Sequence, residues 1–233
     1  MAIARVAGAE FTDVGSHLAT IGAHSISTIT IPTADIALFG FTFTGDGGAT
    51  FTSPTLAGQS AHQIAIENTD TDDIFGALFA VLTPTPGINQ TLSWTNVEDV
   101  SAMRVSLGFW TGVDISGGAA GAYRSSGSET GDTSATTATM TALSGDLGVG
   151  FLFTDGGTPS PTVGSIVVAH TGFPDFHIVE YAPSGNTTMG ATGLVDGGIL
   201  AAMLKPAGGG GGPSNQYVSM NPMRSYRKSG RFM

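Results

Sequence analysis

Glycine, serine and threonine supply 86 of the 233 residues of this chain, and only 11% of its residues are charged. Few folds suit that mixture. Glycine costs about 1 kcal/mol at each interior helix position, and serine and threonine are mediocre helix formers. Threonine fits a pleated, half-exposed surface. A helical bundle and a doubly wound α/β enzyme are therefore poor fits. Hydrophobic residues make up 41% of the chain, enough for a real core. A disordered chain would combine low hydrophobicity with dense charge. An ordinary soluble domain is about 25% charged, so hydroxyls and glycines must cover much of this surface.

The order of residues supports strands. Ile26, Thr28 and Thr30 alternate with Ser27, Ile29 and Ile31 before Pro32. Phe39, Phe41 and Phe43 fall on one face of the segment 35–44, and Met103, Val105, Leu107 and Phe109 alternate within 100–113. Further strand segments are 49–52, 61–67, 75–82, 91–95, 134–143, 147–154, 165–170, 176–181, 188–194 and 199–204. Turn clusters separate them, among them Pro84-Thr85-Pro86-Gly87, Ser144-Gly145-Asp146, Asp155-Gly156-Gly157 and Asp196-Gly197-Gly198. The stretch 116–132 reads as a Gly/Ser loop. The best helical alternative, 71–81, reads at least as well as a buried strand. About twelve short strands in this rhythm predict an all-β fold, an antiparallel β-sandwich of jelly-roll type with a flexible C-terminal arm.

The chain has no cysteine, which excludes disulfides, thiolate metal sites and thiol nucleophiles and fits assembly in a reducing compartment. It has no run of about 18 apolar residues, so no transmembrane helix is expected. The N-terminus lacks the basic and apolar regions of a secretory signal. No repeat period is visible.

Charge is segregated along the chain. Residues 1–205 hold all eighteen acids and four bases, Arg5, Arg104, Arg124 and Lys205, for a net −14. The last 28 residues hold four bases and no acid, a net +4. The acidic body should repel nucleic acid. Between body and tail lies Pro206-Ala207-Gly208-Gly209-Gly210-Gly211-Gly212-Pro213, whose five successive glycines read as a flexible tether. The expected layout is an N-terminal arm or edge strand at 1–25, a β-sandwich over 26–205, a linker at 206–213 and a docking peptide at 214–233. That peptide is too short to fold alone. Its Tyr217, Met220, Met223, Arg224, Tyr226, Arg227, Lys228, Arg231 and Phe232 are the residue types enriched at protein interfaces. A frayed, solvated tail is the plain alternative.

Signals for chemistry are sparse. Asp70, Asp72 and Asp73 offer oxygens in one loop, as Ca²⁺ requires, but the EF-hand glycine and terminal glutamate are missing. A solvated turn explains them as well. His17, His24, His62, His170 and His177 form no metal-binding or protease spacing. There is no Gly-x-Ser-x-Gly elbow, and the glycine-rich run 117–121 lacks the lysine and context of a phosphate loop. Glu98, Asp99, Glu129 and Glu180 could serve a glycosidase only if the fold joined two of them across a cleft. Trp94 and Trp110 sit in strand-like segments, where core packing is favoured over a sugar-stacking platform.

The segment from Thr91 to Thr154 includes Leu92-Ser93-Trp94-Thr95, Arg104-Val105-Ser106-Leu107-Gly108-Phe109-Trp110, the Ser/Thr-rich 134–140 and Leu147-Gly148-Val149-Gly150-Phe151. In texture it resembles the β-sandwich virion proteins of tailed bacteriophages, and the likeness extends over about residues 35–204. It implies a non-enzymatic structural or host-contact role in a virion, as capsid decoration or tail component, assembled in the host cytoplasm. The implied partners are other virion proteins and further copies of the chain, with no membrane, no cofactor and no nucleic acid on the acidic body. A low-charge body suits such packing, because burying charge at many contacts costs desolvation energy. The alternative is a carbohydrate-binding sandwich for host adsorption, which would need an exposed aromatic platform or a Ca²⁺ near Asp70.

Overall fold

The computed structural model describes residues 1–13, 21–44, 51–68, 74–96, 102–170 and 174–208. The first strands are β1 (Ala4–Arg5), β2 (Phe11–Asp13), β3 (Gly22–Ile31), β4 (Ile36–Thr44), β5 (Phe51–Leu56) and β6 (Gln59–Ser60). Next come β7 (His62–Asn68), β8 (Ile74–Leu82), β9 (Gly87–Asn96), β10 (Ala102–Thr111) and β11 (Tyr123–Gly131). The last are β12 (Ser134–Thr136), β13 (Leu147–Pro161), β14 (Ser165–Val168), β15 (Asp175–Tyr181) and β16 (Gly190–Leu204). A 3-10 turn at Ala119–Gly121 is the only helical element among the described residues.

The chain is an all-β sandwich with antiparallel pairing throughout, in three sheets where a jelly roll has two. Sheet I runs β3-β9-β5-β6. Sheet II runs β1-β10-β4-β8-β7, with β2 also on β10. Sheet III runs β11-β16-β13-β15-β14, with β12 also on β16.

Sheet II is the middle layer, and its sequence explains why. All nine residues of β4 are buried. A strand buried on both faces needs apolar or small residues at every position, not at alternate ones. Ala37, Phe39, Phe41 and Phe43 of β4, Phe75 and Phe79 of β8, and Met103, Val105, Leu107 and Phe109 of β10 pack with Ile26, Ile29, Leu92 and Trp94 of sheet I. The alternate residues Ile36, Leu38, Ile74, Leu78 and Trp110 pack with Val149, Phe151, Phe153, Phe176, Ile178 and Leu200 of sheet III. Directly opposed rings reinforce the first core. Phe39 stacks on Phe79 at 5.7 Å and Phe43 on Phe75 at 5.0 Å between ring centroids. Such cross-strand aromatic pairs are a main source of sheet stability.

Glycine makes room for the second core. Gly40 and Gly76 face sheet III from neighbouring strands. A Cβ on Gly40 would lie 2.5 Å from Phe176 Cζ, and one on Gly76 would lie 2.5 Å from Phe153 Cε1. The three phenylalanine rings of sheet III therefore lie directly against the backbone of sheet II. A third cluster covers the far face of sheet III, where Met140 and Ala142 from the segment after β12 pack on Ala135, Leu152, Met189, Ala201 and Met203.

Three local expectations are corrected. The stretch 116–132, read as a loop, contains β11, which pairs with β16 from Tyr123 to Gly131. The clusters 155–157 and 196–198, read as turns, lie inside β13 and β16 and face each other across the ladder, with Thr154 opposite Gly197 and Gly156 opposite Val195. A bulge follows just beyond 155–157, where the register shifts between Gly157 and Ser160 and Gly157 and Gly193 both have positive φ. Thr154 ties the two strands together ahead of it, its hydroxyl accepting the Val195 N–H at 2.9 Å. The strand expected over 134–143 stops at Thr136. Beyond it the chain leaves the sheet as the cover described above.

Candidate functional site

Sheet I is the chemically distinctive surface. None of the ten residues of β3, six of β5, two of β6 or ten of β9 is Asp, Glu, Lys or Arg. Its inner face carries Ile26, Leu56, Leu92 and Trp94. Its outer face is built from pairs that the register places opposite each other: Ala23 with Thr95, Ser25 with Ser93, and Thr55 with Ser93. A shallow depression of about 350 Å³ is lined by Ala23, Ser25, Thr55, Ser93 and Thr95, with His24 and Trp94. This is a surface of methyls and hydroxyls.

Neither tryptophan offers a stacking platform. Trp94 is 3% exposed, lies 5.8 Å from the His24 ring and 5.2 Å from the Phe41 ring, and its Nε1 has no hydrogen-bond partner among the described residues. Trp110 is fully buried and donates from Nε1 to Glu180 Oε1 at 2.8 Å.

The body's bases are held within sheets II and III and the segments around them. Arg5 pairs with Glu10 and, at 3.3 Å, with Glu180. Arg124 makes a two-point contact with the buried Asp146, at 2.6 and 3.0 Å, and this partner raises its pKa. Lys205 lies 3.9 Å from Asp114, whose carboxyl is held below its usual range, chiefly by hydrogen bonds from Ser116. Arg104 is buried at 7% exposure. The resulting electrostatics are uneven: charges sit on two sheets and none sits on the strands of the third.

The residues singled out from sequence fall as follows. The tail residues Tyr217, Met220, Met223, Arg224, Tyr226, Arg227, Lys228, Arg231 and Phe232 lie outside the described residues, as do Asp70, Asp72, Asp73, Glu98, Asp99 and His17. Glu129 shares a face with Ile199, whereas Glu180 points to Trp110 on the other face of sheet III. Their strands are three places apart, roughly 14 Å at about 4.8 Å per strand. His62 Nε2 is 3.2 Å from the Tyr123 hydroxyl. His177 is 3% exposed and its Nδ1 accepts the His170 N–H at 3.2 Å. Burial pushes the His177 pKa down, opposed by Asp175 and assisted by His170 and Arg104. Among the described residues no three His, Asp or Glu side chains are placed to hold a metal ion.

Sheet I as a single uncharged surface escapes a reading strand by strand. The signal was present in the sequence as three stretches free of Asp, Glu, Lys and Arg, 14–34, 47–66 and 74–97. What the sequence does not show is that parts of all three converge on one sheet.

No protein-family model, curated protein or solved structure matches this chain.

Proposed function

We propose that this protein is a non-enzymatic structural component of a bacteriophage particle, on the capsid surface or in the tail, which assembles through its β-sandwich body and the peptide 214–233. The observation that carries the reading is the distribution of charge. A body of net −14 would repel its own copies wherever acids meet, yet one of its three sheets has no charged residue in its strands. Uncharged hydroxyl-covered surfaces can be buried at repeated contacts without stranding ions. The tail of net +4 complements neighbouring acidic bodies. The described chain ends beside its own beginning: the Met1 amino group donates to the Ala207 carbonyl at 3.0 Å, and the Ala207 N–H donates to the Gly112 carbonyl at 2.7 Å.

Deletion of residues 209–233 tests the proposal, because it spares the Ala207 contacts. The truncated body should keep its β-rich circular dichroism and its solubility but fail to enter particles in a complementation assay. Particles that carry the truncated protein at normal copy number would refute the role given to the tail.

A further inference from the structure

Resting on that assembly reading, we propose that strand β3 is where two copies of the chain meet, pairing antiparallel about a two-fold axis so that two copies of sheet I continue as one sheet. An edge strand presents unpaired N–H and C=O groups, and natural proteins blunt such edges with charges, proline, bulges or short length. The other described edges are blunted in these ways. β1 and β6 have two residues each, β2 has three and ends in Asp13, and β12 has three. β7 carries Glu67, β11 carries Arg124 and Glu129, and β14 has only four residues. β5 contains Pro54.

β3 differs. It has ten residues, no charge and no proline, and β9 is its only neighbour among the described strands. Its second half is irregular, with register shifts between Ile26 and Ile31, but Gly22 to Ile26 pair with Asn96 to Leu92 without a break. Ala23, Ser25, Ser27, Thr28 and Thr30 are exposed along it. A second copy of this edge is a matching occupant. Serine and threonine pair favourably across antiparallel strands, and two uncharged edges bring no like charges together. A ladder of this length falls short of the roughly 800 Å² per partner of a stable dimer. Free protein should therefore associate weakly, and multiple contacts in an assembly would reinforce it.

Sedimentation of the full chain from micromolar to millimolar concentration tests this. The wild type should show a monomer–dimer equilibrium. Ser25→Lys and, separately, Ser27→Lys should weaken it by at least about tenfold, because lysine blunts an edge. Both variants should keep the wild-type circular dichroism. Ser165→Lys, on the exposed edge strand β14, should leave the equilibrium unchanged. A wild type that stays monomeric throughout, or a dimer indifferent to both β3 lysines, would overturn the β3 assignment. If the 209–233 deletion abolishes the dimer while the β3 lysines do not, the tail and not β3 joins the copies. The assembly reading fails separately, if full-length protein does not enter particles.

Discussion

Two kinds of residue bear most directly on stability: glycines that admit aromatic rings and one buried histidine. Gly76 has Phe153 ring atoms at 2.5, 2.8 and 2.9 Å from the position its Cβ would take. That ring is fully buried in the core between two sheets. Gly76→Ala should therefore destabilise the fold by about 1–3 kcal/mol, the usual cost of overpacking a core, measured by urea unfolding. His177 acts through pH. Its folded pKa lies below the ordinary value of 6.5 because burial disfavours the imidazolium. As pH falls through 6.5, the unfolded chain takes up a proton at this position before the folded one does. Stability contributed by the neutral histidine is therefore present at neutral pH and declines below it. His177→Gln should flatten the loss of melting temperature between neutral and mildly acidic pH. An unchanged slope would show that other groups carry it.

At the scale of elements, β4, β8 and β10 were legible in the sequence because dense apolar alternation has one physical meaning in a strand. The twin misreadings at 155–157 and 196–198 have a specific cause. Glycine next to aspartate is the mark of a turn, but it also marks a bulge or a close approach of two backbones. Gly157 and Gly197 meet that second need: a Cβ on either would lie within 2.5 Å of a carbonyl oxygen on the opposing strand. Local sequence cannot separate the two uses, because the partner strand lies some 40 residues away. The cover over sheet III was hidden for a similar reason. Its Ser/Thr-rich sequence alternates like a strand, yet it is held by contacts from elsewhere. Thr137 N–H donates to the Met189 carbonyl at 2.8 Å, and Asp146 Oδ2 accepts the Leu143 N–H at 2.8 Å as well as Arg124. Arg124→Ala would leave the buried Asp146 carboxylate without its cation. The expected cost is about 1–3 kcal/mol, less than for a fully buried pair because Arg124 is partly exposed. Amide exchange at Leu143 should rise more than exchange in sheet II. Arg124→Lys should recover part of the loss, since it keeps the charge but not the two-point geometry.

At the scale of the whole molecule, the three-layer arrangement makes sheet II a wall common to two cores. Neither core can lose that wall without the other losing its support. The sequence put Phe39, Phe41 and Phe43 on one face of β4 but showed neither that the other face is buried too nor which sheet covers each, because pairing and stacking are long-range. The tryptophans happen to divide between the layers: Trp94 is in the core between sheets I and II, and Trp110 is in the core between sheets II and III. Each of Trp110→Phe and Trp94→Phe thus leaves a fluorescent reporter in one core alone. Trp110→Phe also loses the hydrogen bond to Glu180, so its midpoint should fall relative to wild type. Within each variant, however, tryptophan fluorescence and far-ultraviolet circular dichroism should give superimposable urea transitions, because the shared sheet couples both cores into one cooperative unit. In the Trp110→Phe protein, a Trp94 transition that precedes the loss of circular dichroism would mean that sheet I peels away first. The outer sheets would then be independent units, and sheet I could separate from the body without unfolding it.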